Sequence, residues 1–319
     1  MTPPAADDHN IRLTRVYDAP VALVWDAFTL DAHASHWWGP RGFTITTHHK
    51  DVRVGGTWSY IMHGPDGTDW PNFTRYLEVQ PHERLVYDHG ASSADAAPMF
   101  RMTVEFRDLG GRTALSLCLT FPDAERARQT RHFIKAAGGN GTWDRLAEYL
   151  AQQVEGAPVF VINRSVAAPI ETVWSMFTDA TLLAQWLPPT GFTMTVHRAS
   201  IVVGGTCEFT MQQTDVALHG RFQYDELEPP HSLAYHQVFT DVHGTVVRFP
   251  GMTDWPEVLA TRVTLTDEGH GHTRITVRTA PAEQATAADV AAFVAERTGM
   301  AQGWTGSFDA MEAQLGVGE

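Results

Sequence analysis

The sequence predicts an α+β protein built from two tandem domains, each a curved antiparallel sheet wrapped around a long C-terminal helix. Two observations predict it. The first is a repeat: Ala19-Pro20-Val21-Ala22-Leu23-Val24-Trp25-Asp26-Ala27-Phe28-Thr29 returns as Ala168-Pro169-Ile170-Glu171-Thr172-Val173-Trp174-Ser175-Met176-Phe177-Thr178. The register holds at a spacing of 149 residues, so that Arg15 falls on Arg164, Trp37 on Trp186 and Gly55-Gly56-Thr57 on Gly204-Gly205-Thr206. Solenoid units repeat every 20 to 50 residues or so; this period suits a whole domain with its own core. The second is that, within each copy, the apolar periodicity changes in the same order: strand, two helices, six strands, long helix.

The opening strand alternates Ile11, Leu13 and Tyr17, matched by Phe160, Ile162 and Val166. Pro20 and Pro169 stand where a helix starts, a place where proline's missing N–H is no loss. Val21, Val24, Trp25 and Phe28 follow at helical spacing. A second short helix runs from Asp31 to Trp38 and stops at Gly39-Pro40; its counterpart stops at Pro188-Pro189. Strands are expected over 43–52, 57–63, 73–79, 84–89, 100–107 and 113–120. In the second copy they are expected over 192–202, 207–213, 221–227, 232–239, 260–266 and 273–279. Closing helices are expected over 123–153 and 286–315. The resulting division is a frayed tail (1–9), a first domain (10–154), a linker (155–158) and a second domain (159–319). An additional segment, 238–256, occurs in the second copy alone and has the length of a lid or an interaction surface.

The chain has 23 Lys and Arg against 37 Asp and Glu, a net charge of −14 that disfavours nucleic acid and anionic membrane surfaces. No apolar run reaches the ~18 residues of a membrane span, so no membrane insertion is expected. Cys118 and Cys207 lie in different copies, which fits a reducing cytoplasm better than a disulfide framework. The 16 His residues are dispersed, with no HExxH or CxxC spacing, so no metal site or other cofactor is expected.

Ala-Pro-x-x-x-Val-Trp-x-x-Phe-Thr, the stop Trp37-Trp38-Gly39-Pro40, Gly55-Gly56-Thr57-Trp58 and Asp144-Arg145-Leu146-Ala147-Glu148-Tyr149-Leu150 carry a resemblance. The chain resembles the START-like helix-grip superfamily, also called SRPBCC. Within it, the chain is similar to the branch of homologues of the activator of the heat-shock chaperone ATPase. The resemblance covers essentially the whole chain twice, the first copy more closely: Leu187 replaces Trp38 and Cys207 replaces Trp58. It implies a cavity between sheet and closing helix, in a superfamily that includes lipid carriers and cyclases. The expected function is binding of a small hydrophobic or amphipathic molecule in that cavity. Two alternatives stand beside it: a cyclase- or hydrolase-like acid–base enzyme, and a chaperone-ATPase activator or other protein-interaction module.

Arg15 and Arg164 fall on the apolar face of their strands, where a guanidinium either grips a ligand carboxylate or phosphate or forms an internal ion pair with Glu78 and Glu226. Gly138 and Gly141, matched by Gly303 and Gly306, clear one face of each closing helix at a helix cost of roughly 0.5–1 kcal/mol each. That clearing admits either a ligand or a neighbouring segment. Trp58, Tyr60, Tyr87 and His89 lie among large apolar neighbours and are candidate ligand contacts, with Tyr and His able to orient a polar group. Their counterparts are Cys207, Phe209, Tyr235 and Gln237, so the first cavity is expected to be the better site for a polar ligand. The plainer reading of these residues is core. No catalytic residue is assigned. Trp25, Trp37, Trp174 and Trp186 read as core. His48 and His197 read as solvated, and His49 as facing the cavity end. Thr68-Asp69-Trp70-Pro71 recurs as Thr253-Asp254-Trp255-Pro256 at a non-equivalent place, and either indole would suit a cavity mouth.

Overall fold

The computed structural model describes residues 9–40, 42–91, 93, 95–136, 141–155, 158–269 and 271–316. The chain divides into two units, Met1–Gly156 and Ala157–Glu319.

The first unit runs β1 (Asn10–Tyr17), α1 (Val21–Thr29), α2 (Asp31–Trp37), β2 (Thr44–Lys50), β3 (Thr57–His63), β4 (Asp69–Gln80), β5 (Arg84–Ala91), β6 (Phe100–Asp108), β7 (Thr113–Thr120), α3 (Ala124–Ala136) and α4 (Gly141–Glu155). Its strands form an antiparallel sheet in the order β1-β7-β6-β5-β4-β3-β2. The second unit repeats this with β8 (Phe160–Val166), α5 (Ile170–Thr178), α6 (Ala180–Trp186), β9 (Thr193–Ala199), β10 (Thr206–Gln213), β11 (Val216–Glu228) and β12 (Ser232–Thr240). It continues through β13 (Val246–Val247), β14 (Val258–Gly269), β15 (His272–Pro281), α7 (Ala287–Ala295) and α8 (Arg297–Leu315), with sheet order β8-β15-β14-β12-β11-β10-β9 and β13 on β12. The helix expected over 286–315 is thus two. A Thr286–Asp289 capping box starts α7, and Glu296 leaves helical geometry between α7 and α8. Over 123–153 the helical residues are α3 and α4, with 137–140 outside the described residues.

The duplicated motifs are duplicated contacts. Thr113 Oγ1 donates to Ala19 O at 2.8 Å and Thr273 Oγ1 to Ala168 O at 2.7 Å, which ties the last strand to the turn before the first helix. Trp37 Nε1 donates to Ala27 O and Trp186 Nε1 to Met176 O, so each buried indole satisfies its N–H within its own helix pair. Gly55 and Gly204 both have φ of +78°, and a Cβ on Gly56 or Gly205 would collide with the carbonyl oxygen of Asp51 or Ser200. The Gly-Gly pair is therefore a geometric requirement of the turn before β3 and β10.

One expectation about strand faces is corrected. The β2–β3 register shifts between Thr47 and His49, and the β9–β10 register skips His197 between Val196 and Arg198. A bulge inserts one residue and inverts the alternation after it. His49 is exposed in consequence, and Lys50 turns toward Trp58, its Nζ 3.8 Å from the ring centroid.

Candidate functional site

A cavity of about 390 Å³ lies in the second unit between sheet and closing helix. Phe209 and Met211 of β10, Phe222 of β11, Tyr235 and Gln237 of β12, and Leu259 and Thr261 of β14 form its sheet wall. Met300, Gly303, Trp304 and Ser307 of α8 form the opposite wall. Phe239, Phe249, Met252 and Trp255 bring in the additional segment, which lies over the cavity of its own unit. Period-two spacing places Tyr235, Gln237 and Phe239 on one face of β12. Of the two recurring indoles, Trp255 is buried here, whereas Trp70, in β4, is 55 % exposed.

The paired glycines of α8 do different things. A Cβ on Gly303 would meet nothing within 4 Å, so this glycine faces the open volume. A Cβ on Gly306 would collide with Thr190 Oγ1, so this glycine admits the loop after α6. Ser307 Oγ fastens the same loop by donating to Leu187 O at 2.7 Å. Gly141 is the first residue of α4, and Gly138 lies outside the described residues.

In the first unit the corresponding aromatic residues pack ring on ring. Trp58 stacks on Tyr60 with centroids 4.3 Å apart, Trp38 meets Trp58 at 5.1 Å and His89 at 5.8 Å, and Trp38 Nε1 donates to Tyr60 Oη at 2.8 Å. His89 Nδ1 lies 3.1 Å from Thr74 Oγ1 and its ring 6.2 Å from that of Tyr87. The Tyr87 hydroxyl has no partner among the described residues. In the second unit Leu187 and Cys207 stand where the first has two indoles, and Leu187 lines the cavity.

Burial governs the titratable groups here. It pushes His89 down to about 4, so the imidazole is neutral at pH 7. It raises Tyr60, Tyr87 and Tyr235 above the usual tyrosine range and Cys207 up to about 11, the last with help from Glu208. Lys50 falls to about 7 because burial outweighs the attraction of Asp31.

The arginines do not meet the expected carboxylates. Arg164 pairs with Asp309 at 3.0 Å and Glu312 at 3.3 Å on α8. Glu226 is instead held by Arg262, with both contacts at 2.7 Å, and Glu78 by Arg84 at 3.3 Å. Arg15 is buried and donates to Thr14 O, and Asp144 and Glu148 of α4 are buried in the same unit. The pairing missed in the sequence crosses from first strand to closing helix, a separation that no local pattern reveals. Lys50 was missed because the bulge is silent in the sequence.

No helix among the described residues is long and apolar enough to cross a membrane, and no group of three or more of their His, Cys, Asp and Glu residues could hold a metal ion. A family model described as "Activator of Hsp90 ATPase homolog 1-like protein" matches residues 18–151 and 167–316. Among solved structures, a protein of Nitrosomonas europaea is 24% identical, covering 47% of this chain and 98% of its own, with a TM-score of 0.43. An AHSA1 protein of Silicibacter pomeroyi is 15% identical over 50% of this chain and 99% of its own, with a TM-score of 0.39. DynU16, from the dynemicin biosynthetic locus, is 17% identical over 96% of this chain and 98% of its own, with a TM-score of 0.33. No curated protein matches the chain.

Proposed function

The chain belongs, in both halves, to the family of Activator of Hsp90 ATPase homolog 1-like proteins, and from that premise we propose that its second unit binds a small hydrophobic or amphipathic molecule. The observation that carries this reading is the cavity of about 390 Å³ with predominantly aromatic and aliphatic walls. Its size falls within the range of about 300–1,000 Å³ typical of small-molecule sites. An apolar ligand gains about 25 cal/mol for each Å² it removes from water, before the costs of association. The reading is of binding: the wall is mostly apolar, and burial suppresses the ionisation of its Tyr235. Two unpaired thiols in different units suit a reducing cytoplasm.

The test is extraction and mass spectrometry of small molecules that co-purify with the full chain, beside the Leu187→Trp variant. Restoring at 187 the indole found at 38 fills the cavity from the α6 side. A bound molecule present in the parent and lost in the variant supports the reading. A parent that carries nothing and binds no apolar probe sinks it.

A further inference from the structure

The side that α8 turns to the cavity is continuous. Glu296, Gly299, Met300, Gly303, Trp304 and Ser307 line it at intervals of three and four residues, the spacing of one helix face. From Glu296 to Ser307 the helix rises about 16 Å, so the cavity runs lengthwise along α8. Hydroxyls on its walls are paired within the protein: Ser307 Oγ donates to Leu187 O at 2.7 Å, and Thr261 Oγ1 lies 3.0 Å from Thr279 Oγ1. The end marked by Glu296 is different. Among the described residues, Glu296 is the one charged side chain that lines the cavity.

Its carboxylate is within a ligand's reach. Glu296 is exposed, and its Oε2 lies 3.2 Å from where a Cβ on Gly299 would stand, so the acid rests across a glycine that itself lines the cavity. The side chain does not cap α8, and it takes part in no ion pair among the described residues. The neighbouring cations are engaged elsewhere. Arg164 is held by Asp309 and Glu312, and Arg248 by Asp289 and the Trp255 carbonyl. Arg297, the next residue, is not part of the cavity lining. A carboxylate or phosphate head would therefore meet a like charge at this end, and an ammonium would meet an opposite one.

We propose that the ligand is a cationic amphiphile: an amine held as its ammonium beside Glu296, with an apolar body laid along α8 against Met300, Gly303 and Trp304. This rests on the ligand-binding reading above and specifies the chemistry of the same site.

Three near-isosteric probes test it on the full chain by calorimetric titration: 2-(2-naphthyl)ethylamine, 2-(2-naphthyl)ethanol and 2-naphthylacetate. At low salt the amine is expected to bind about two- to fivefold tighter than the alcohol, the range a solvent-exposed ion pair supplies, with the carboxylate weakest. Added salt should narrow that gap. Glu296→Gln should erase the amine preference and leave the affinity for the alcohol nearly unchanged. Glu296→Lys should place the carboxylate above the amine. An amine preference that survives Glu296→Gln would belong to the overall negative charge of the chain and would overturn the assignment. Equal affinity of amine and alcohol, or tightest binding of the carboxylate to the parent, would also overturn it while leaving ligand binding intact. Binding of none of the three would overturn the ligand-binding reading itself, and this inference with it.

Discussion

Trp38 donates its indole Nε1–H to the hydroxyl of Tyr60 at 2.8 Å, and the second unit has Leu187 and Phe209 at the two matching positions. Donor and acceptor are replaced together. Losing one alone leaves a buried polar group unsatisfied, at about 1–3 kcal/mol, whereas apolar groups at both places leave nothing unpaired. The joint exchange accompanies the cavity of the second copy, which Leu187 and Phe209 line with apolar side chains.

This pair predicts a coupled response. Trp38→Leu should destabilise the first unit, by less than the about 3–5 kcal/mol that truncating a buried Trp to Ala costs. Adding Tyr60→Phe should cost less in that background than in the parent, with a coupling of roughly 0.5–3 kcal/mol. Urea unfolding of the four proteins measures it; strict additivity would show that the hydrogen bond contributes nothing.

The two glycines of α8 should respond in opposite directions. Gly303→Ala places a methyl group in open volume and should stabilise by about 0.5–1 kcal/mol through helix propensity. Gly306→Ala drives a Cβ into Thr190 and should destabilise. Thermal unfolding of both variants checks the signs.

His89 ties stability to acid pH. Its folded value of about 4 lies below the ordinary 6.5, so the unfolded chain takes up a proton that the folded chain refuses. This contribution is intact above pH 6.5 and is lost as pH falls toward 4, about 3 kcal/mol in all. His89→Gln, which installs the residue of the second copy, should flatten the parent's stability profile between pH 6.5 and 4. Unchanged slopes in the two proteins would count against the burial of this imidazole.

Lys50 acts at the other end of the scale. Its folded value of about 7 lies below the ordinary 10.5, so the folded chain bears the full cost of a buried charge below pH 7 and is relieved of it as pH rises toward 10.5. Lys50→Met should be more stable than the parent at pH 6, despite losing the cation over Trp58. Its advantage should shrink by up to about 1.4 kcal/mol per pH unit above 7. Denaturant titrations at pH 6, 7.5 and 9 follow the difference.

The extent of the candidate site legible in the sequence follows from the range of the forces involved. Phe209, Tyr235, Gln237 and Gly303 are readable as wall residues because strand alternation and helix spacing are local. Trp255 was visible as a recurring Thr-Asp-Trp-Pro, but its burial depends on a segment folding back from β12 to α7. Lys50 was hidden by a one-residue bulge, which changes every side chain's face beyond it and leaves no mark on composition.

The sequence by itself determined the duplication, the α+β class and the turn chemistry. Proline, Gly-Gly pairs and apolar periodicity act over a few residues and read the same in any tertiary setting. Only the tertiary structure decided where space remains. The sequence favoured the first copy because it keeps Trp58, Tyr60 and His89; the structure shows how those rings pack against one another, and it places a cavity in the second copy beside Leu187, where the first copy has Trp38. It likewise decided that Arg164 pairs with the closing helix and that Gly303 and Gly306 part company. Volume and pairing are sums over neighbours from distant parts of the chain, and such sums exist only once the sheet has closed around its helix.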